Sequence, residues 1–161
     1  MSITLVGFGY DIHRLEAGRP LRLGGVLIPD ADRGPVAHSD GDVLLHALCD
    51  ALLGALGLGD IGFHFPDTDQ EWKDANSLDL LRHVLKLVRA ENASPVNVDC
   101  TLILERPKIA PWREDMCRTL AEALELPLKR VSVKATTNEG LGALGNSQGV
   151  AAYAVATISV D

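Results

Sequence analysis

The chain is short of positive charge. Its 161 residues carry 15 Lys and Arg against 22 Asp and Glu, for a net charge of −7 and a pI near 5.1. An acidic surface attracts neither a phosphate backbone nor an anionic bilayer, so no nucleic acid and no membrane is expected as a partner. A ligand bearing phosphates would require recruited cations. Cysteine is scarce too: Cys49, Cys100 and Cys117 are odd in number and widely spaced, with no CxxC pair. That fits neither a disulfide framework nor a thiolate zinc site, and it suits reduced core thiols in a cytosolic protein. No apolar run reaches the length of about 18 that spans a bilayer. Met1 to Gly7 lack the basic and apolar regions of a secretory signal, so a soluble, cytoplasmic protein is expected. Repeats, low-complexity tracts and linkers are also missing. With 47% hydrophobic residues, the chain is expected to form a single domain, 1–161.

What is present concentrates in one segment. From Asp42 to Leu56 the spacing predicts a helix apolar on most sides, with Asp42, His46, Cys49 and Asp50 forming one polar stripe. A helix of that kind is buried, and a buried carboxylate or imidazole is costly unless it is paired or holds a metal. The stripe is therefore read as a site. Polar residues gather at both ends of this rod, as His38-Ser39-Asp40-Gly41-Asp42 before it and from Gly59 to Asp69 after it.

Elsewhere, Ile3 to Phe8 reads as a strand, Leu21 to Ile28 as a strand or a hairpin around Gly24-Gly25, and Gly34 to Asp40 as a loop. Ser77 can cap a second helix whose core face is Leu78, Leu81, Val84, Leu85 and Val88, ending near Asn92. Val96 to Leu104 is strand-like, Pro111 opens a third helix to about Glu125, and Val131 to Ala135 is a short strand before a glycine-rich loop. Gly149 to Val160 is a long alternating strand. This order implies an α+β fold: a two-layer sandwich with one mixed β-sheet and helices on one side.

Three constellations carry chemistry. In extended chain Asp11 and His13 point the same way, and with His46 from the stripe they make two imidazoles and a carboxylate, a set suited to zinc with an open position. The alternative for Asp-x-His alone is an ordinary turn. Lys134 to Gly142 leaves a strand as a loop whose hydroxyls and N–H groups can cradle a phosphate, or which is simply polar. Glu139 beside a phosphate repels it unless a hard cation such as Mg²⁺ lies between. Leu104 to Lys108 follows a strand end, where loops often hold ligands.

These residues together resemble a known family. Gly7 to His13, Ala37 to Asp42 with His46 and Asp50, Gly59 to Gly62 with Phe65 to Asp69, and Val133 to Glu139 are similar, in order and over almost the whole chain, to the signature blocks of 2-C-methyl-D-erythritol 2,4-cyclodiphosphate synthase. The resemblance implies an enzyme of the non-mevalonate isoprenoid pathway. Its substrate, 4-diphosphocytidyl-2-C-methyl-D-erythritol 2-phosphate, would become a cyclic diphosphate and CMP. It implies a zinc-type ion at Asp11, His13 and His46, and Mg²⁺ or Mn²⁺ held across the diphosphate by Glu139. His38 and Ser39 would contact the substrate phosphate, with His38 and Thr137 the catalytic pair. Asp60, Gly62, Phe65 and Asp67 would hold the methylerythritol side. Leu104, Glu105, Arg106, Pro107 and Lys108, with Ala135, Thr136 and Thr137, would form the cytidine and phosphate pocket of an adjacent subunit.

The family resemblance further implies a homotrimer with active sites between subunits. The zinc set and the cytidine loops are read as lying at opposite ends of the domain, so that one substrate reaches both only when two copies share it. The strand from Gly149 to Val160, partly apolar on both faces, agrees. One departure from the family pattern is Ala143 and Asn146, which stand where an aromatic residue and an arginine often line a cavity on the trimer axis. The rival readings are a metal-dependent phosphohydrolase and a non-catalytic nucleotide-binding trimer.

Overall fold

The computed structural model describes residues 2–161, so the part of the N-terminal reading that rests on Met1 lies outside it. Strand β1 (Ile3–Ala17) continues well past Phe8 and carries Asp11-Ile12-His13 within the sheet rather than after it. Pairing is the cause: β1 lies antiparallel to β7 (Gly149–Val160), with Ile3 opposite Val160 and Arg14 opposite Gly149. Beyond β7 come β5 (Ala93–Ile103) and β6 (Val131–Thr136), paired in parallel. On the other edge β4 (Arg33–Pro35), inside the segment read as a loop, pairs with the end of β1. The sheet order is β4-β1-β7-β5-β6, a mixed five-stranded sheet in an α+β fold. Gly24 and Gly25, with φ of 58° and 78°, turn the hairpin of β2 (Leu21–Leu23) and β3 (Val26–Ile28), as their position suggested.

The long helices α1 (Val43–Ala55), α3 (Ser77–Ala90) and α4 (Arg113–Leu124) cover one face, and two single turns, α2 (Ile61–His64) and α5 (Gly142–Gly145), border loops. Helix α1 is central, with Leu44, Leu45, Leu48, Leu52 and Leu53 fully buried. Its contact with β1 is backbone on backbone. A Cβ on Gly7 would meet the Ala51 carbonyl oxygen at 1.7 Å, and one on Gly9 the Ala47 oxygen at 1.8 Å. Only glycine permits that approach, and it delivers the next inward residues of β1, Asp11 and His13, to the N-terminal turns of α1.

Two helix starts differ from expectation. Asn76, not Ser77, caps α3, its side chain accepting from Leu78 N at 2.9 Å, while Ser77 is the first helical residue and fully buried. Pro111 sits in a 3₁₀ turn, Ala110–Trp112, and α4 begins only at Arg113. The opposite face of the sheet is bare: Val6 and Phe8 are more than 60% exposed, and Tyr10, Ile12, Tyr153 and Val155 extend the apolar surface. Cys49 and Cys100 are buried, Cys117 is half-buried, and all three are free. Among the described residues no helix is long and apolar enough to cross a membrane.

Candidate active site

The structure breaks up the polar stripe of α1. Asp42 is fully buried as the N-cap, its Oδ1 accepting from Leu45 N at 3.1 Å and Gly24 N at 2.9 Å and its Oδ2 from Gly25 N at 2.7 Å. It ties the hairpin to the helix, a structural role that satisfies otherwise orphaned N–H groups. Burial pushes its carboxyl above the ordinary range, against the pull of those three donors. Cys49 is pure core, its thiol raised far above normal by burial. Asp50 accepts from Ile61 N at 2.8 Å and so seats α2. His46 alone of the four is a ligand candidate.

Its partners are those expected. The Asp11 Oδ2 oxygen lies 3.0 Å from His13 Nε2 and 3.0 Å from His46 Nδ1, and the two nitrogens are 3.1 Å apart. Four ligands around an ion with bonds of about 2.0–2.1 Å sit on tetrahedral edges of roughly 3.3 Å. This near-equilateral triangle therefore fits zinc within a few tenths of an ångström, with one vertex left for a ligand oxygen. Burial works to raise the Asp11 carboxyl, yet the two imidazoles overcome it and hold it at about 2. Burial likewise works to lower His46, and the Asp11 carboxylate overcomes it and raises its pKa.

A cavity of about 390 Å³ opens over this triangle, lined also by His38, Ser39, Gly62, Phe65 and Asp67 from the predicted set. Ser39 Oγ approaches His46 Nε2 at 3.2 Å and accepts from Gly41 N at 3.2 Å. His38 Nε2 lies 3.4 Å from the Asp69 carbonyl. Asp60 does not line the cavity; its Oδ1 caps α2 by accepting from Phe63 N at 2.9 Å. Sequence reasoning missed Trp72, which lines the cavity wall and packs edge-on against Phe65 at 4.9 Å between ring centres. A lone indole in the polar run after Asp67 was its only signal.

A second cavity, of about 610 Å³, lies between β6 and the loop after β5. Leu104, Pro107, Lys108, Ala135, Thr136 and Thr137 line it as expected, joined by Lys134, the first residue of the run read as a phosphate cradle, and by Arg113, which the sequence did not single out. Lys134 Nζ donates to Asp99 Oδ2 at 2.7 Å. Glu105 and Arg106 are not on its wall; the Glu105 carboxylate instead accepts from Asn138 N at 2.7 Å and pins the loop. Glu139 is exposed, in the left-handed region at φ 53°, and outside the Asp11 cluster. A single carboxylate suits a Mg²⁺ shared with substrate phosphates, which needs only one or two protein ligands.

The two cavities share no lining residue. Contrary to the sequence reading, they are not at opposite ends of the domain: Ile12 pairs with Ala151, Ala151 with Ile103 and Ile103 with Thr136, so both sit at one end of the sheet. What parts them is lateral, three strand spacings of about 4.8 Å, roughly 14 Å.

A model of the YgbB family matches residues 4–159 of this chain, nearly its full length. The chain belongs to the YgbB family. Among relatives, the 2-C-methyl-D-erythritol 2,4-cyclodiphosphate synthase of Symbiobacterium thermophilum is 59% identical over 155 residues, 96% of this chain and 98% of that protein. The fold of this family member superposes on the bifunctional IspDF of Campylobacter jejuni with a TM-score of 0.95 at 40% identity, covering 100% of this chain and 43% of that longer one. A CDP-bound 2C-methyl-D-erythritol-2,4-cyclodiphosphate synthase matches with a TM-score of 0.87 at 46% identity, over 94% of this chain and 97% of that one.

Proposed function

We propose that this chain is a phosphorus–oxygen lyase, a 2-C-methyl-D-erythritol 2,4-cyclodiphosphate synthase of the non-mevalonate isoprenoid pathway, like the relatives it matches over nearly their whole length. It converts 4-diphosphocytidyl-2-C-methyl-D-erythritol 2-phosphate into the cyclic diphosphate and CMP. The observation that carries the reading is the Asp11–His13–His46 triangle, set in one cavity with His38 and Ser39.

In the reaction an oxygen of the 2-phosphate attacks the β-phosphorus of the cytidine diphosphate. A P–O bond forms to close the ring, the P–O bond to the α-phosphate breaks, and CMP leaves with the electron pair. The nucleophile is already anionic, so no serine, cysteine or strong base is required, and positioning can supply up to about 7–11 kcal/mol of the barrier. Asp11, His13 and His46 would hold a zinc-type ion, and Glu139 Mg²⁺ or Mn²⁺; these cations offset phosphate charge in an acidic protein. His38 and Ser39 donate hydrogen bonds to the phosphate on the methylerythritol side, whose carbon skeleton lies against Gly62, Phe65 and Asp67, with Asp60 at the rim. Thr137 steadies the diphosphate, and Leu104, Pro107 and Lys108 with Ala135 and Thr136 enclose the cytidine, the loop between them pinned through Glu105.

The assembly is a homotrimer of single-domain chains, 1–161, each active site joining the metal cavity of one copy to the cytidine cavity of the next. The bare apolar face supports it, since Phe8, Tyr10 and Tyr153 stack there with ring centres 5.9 and 5.0 Å apart, a surface too apolar to face water. The three free cysteines favour a reducing compartment, the cytoplasm.

The decisive experiment incubates the protein with the cytidine substrate and divalent metal. CMP with a cyclic product supports the reading, whereas a linear product would indicate a phosphohydrolase and binding alone a regulatory trimer. For the shared site, inactive His46→Ala chains mixed with inactive Thr137→Ala chains should regain activity. A fully active monomer in light scattering, or no recovery in verified mixed trimers, refutes it.

A further inference from the structure

The proposed metal centre leaves one buried feature without a role. Ser77 is fully buried, yet its hydroxyl does not cap α3, since Asn76 does that. Instead its Oγ sits between His46 Nε2, at 2.9 Å, and Asp40 Oδ1, in a short hydrogen bond. Asp40 is itself held from several sides: Oδ1 accepts from Asp42 N at 3.1 Å, Oδ2 from Ser77 N at 3.0 Å, and its own N–H donates to the Ala75 carbonyl at 3.1 Å.

The direction of every proton in this chain follows from what each group can do. A carboxylate only accepts, so the Ser77 hydroxyl donates to Asp40. That leaves the Ser77 oxygen to accept, and the group facing it is His46 Nε2, which must therefore carry its proton. With the proton on Nε2, the lone pair is on Nδ1, the nitrogen facing Asp11 and His13. The remaining neighbour of Nε2, Ser39 Oγ, is farther away at 3.2 Å and already accepts from Gly41 N.

We propose that Asp40 and Ser77 are positioning residues that lock His46 in the Nε2–H tautomer and fix its ring plane. Asp40, Ser77 and His46 come from the loop before α1, the first turn of α3 and the second turn of α1, so the relay also couples the seat of α3 to the ligand triangle. It spares Ser39 from holding the ring and leaves its hydroxyl proton for a phosphate oxygen. The proposal rests on the reading of Asp11, His13 and His46 as metal ligands. Partners behind a ligating histidine typically contribute 10- to 100-fold to metal affinity.

The test compares wild type, Ser77→Ala and Ser77→Thr by zinc competition against a chromophoric chelator, with thermal melts of the metal-stripped proteins alongside. Ser77→Ala should fold and bind zinc about 10- to 100-fold more weakly, with Ser77→Thr restoring most of the affinity. Proton–nitrogen NMR of the metal-stripped proteins at alkaline pH, where no zinc sets the tautomer, should show His46 protonated on Nε2 in the wild type and no longer held so in Ser77→Ala, a signature that a merely structural hydroxyl would not set. Unchanged zinc affinity in folded Ser77→Ala, or an Nδ1–H tautomer in the wild type, overturns the relay alone. A wild type that binds no zinc overturns the metal centre and the relay with it.

Discussion

Gly9→Ala should unseat the metal ligands without touching any of them. The added Cβ would lie 1.8 Å from the Ala47 carbonyl oxygen and 2.9 Å from the Ala51 amide nitrogen, both backbone atoms of α1. A carbon–oxygen contact relaxes only near about 3.3 Å, so β1 and α1 must part by roughly 1.5 Å. No side chain can swing aside to absorb this. Overpacking costs about 1–3 kcal/mol, and a backbone clash belongs at the upper end. For a chain of this size about 3 kcal/mol lowers Tm by roughly 6–12 °C. The strain falls beside the site: Asp11 is the next inward residue after Gly9, and His46 adjoins Ala47. A ligand triangle tolerates shifts of only about 0.2 Å, so zinc affinity should fall more than about tenfold. Thermal melting of metal-stripped protein and chelator competition measure the two effects. Gly54→Ala, with nothing within 4 Å of its new Cβ, is the control and should be neutral or stabilising. A Gly9→Ala protein that melts within about 2 °C of wild type and binds zinc equally well would refute the reasoning.

Further outcomes are expected. His46→Ala should lose stoichiometric zinc and turnover while retaining its far-UV circular dichroism; normal zinc content would sink the ligand assignment. Glu139→Gln should keep the first ion but move the Mg²⁺ titration of activity to higher concentration, and an unchanged titration counts against the second site. The raised pKa of His46 means that protons compete with metal, so zinc affinity should fall as pH drops through that value. In metal-stripped protein the sign reverses for stability. The His46 contribution is fully present below the ordinary histidine value of about 6.5 and is lost as pH rises through the raised one, whereas that of Asp11, held at about 2, is present above the ordinary value and lost only in strong acid. Urea unfolding of metal-stripped wild type and His46→Asn should therefore converge in stability towards alkaline pH, and a pH-independent difference would contradict the pairing.

Much of the architecture was legible because it is local. Alternation marked β6 and β7, the all-round apolar run marked α1, and the i, i+2 spacing of Asp11 and His13 announced a shared face that the long strand β1 preserves. The family blocks were readable for the same reason, each being a short run of fixed order. Strand and helix ends were less legible. Phe8 looked like an end because Gly7 and Gly9 on either side of it carry no side chain to continue an alternation; their purpose, to admit the backbone of α1, is visible only with α1 in place.

The roles of the polar residues belonged to the tertiary structure. Spacing put Asp42, His46, Cys49 and Asp50 on one side of α1, and it could not say what each would face. The hairpin amides claim Asp42, the start of α2 claims Asp50, and the core encloses Cys49, leaving His46 to meet β1. Ser77 read as a cap because capping is a short-range function, while its actual partners are 31 and 37 residues away. The placement of both cavities at one end of the sheet came from strand register, which depends on pairing between segments that no local pattern encodes. A sequence thus determines which groups are buried and on which side of their own element. Which partner satisfies each buried group is decided only when distant elements pack, because the cost of leaving it unpaired selects the partner.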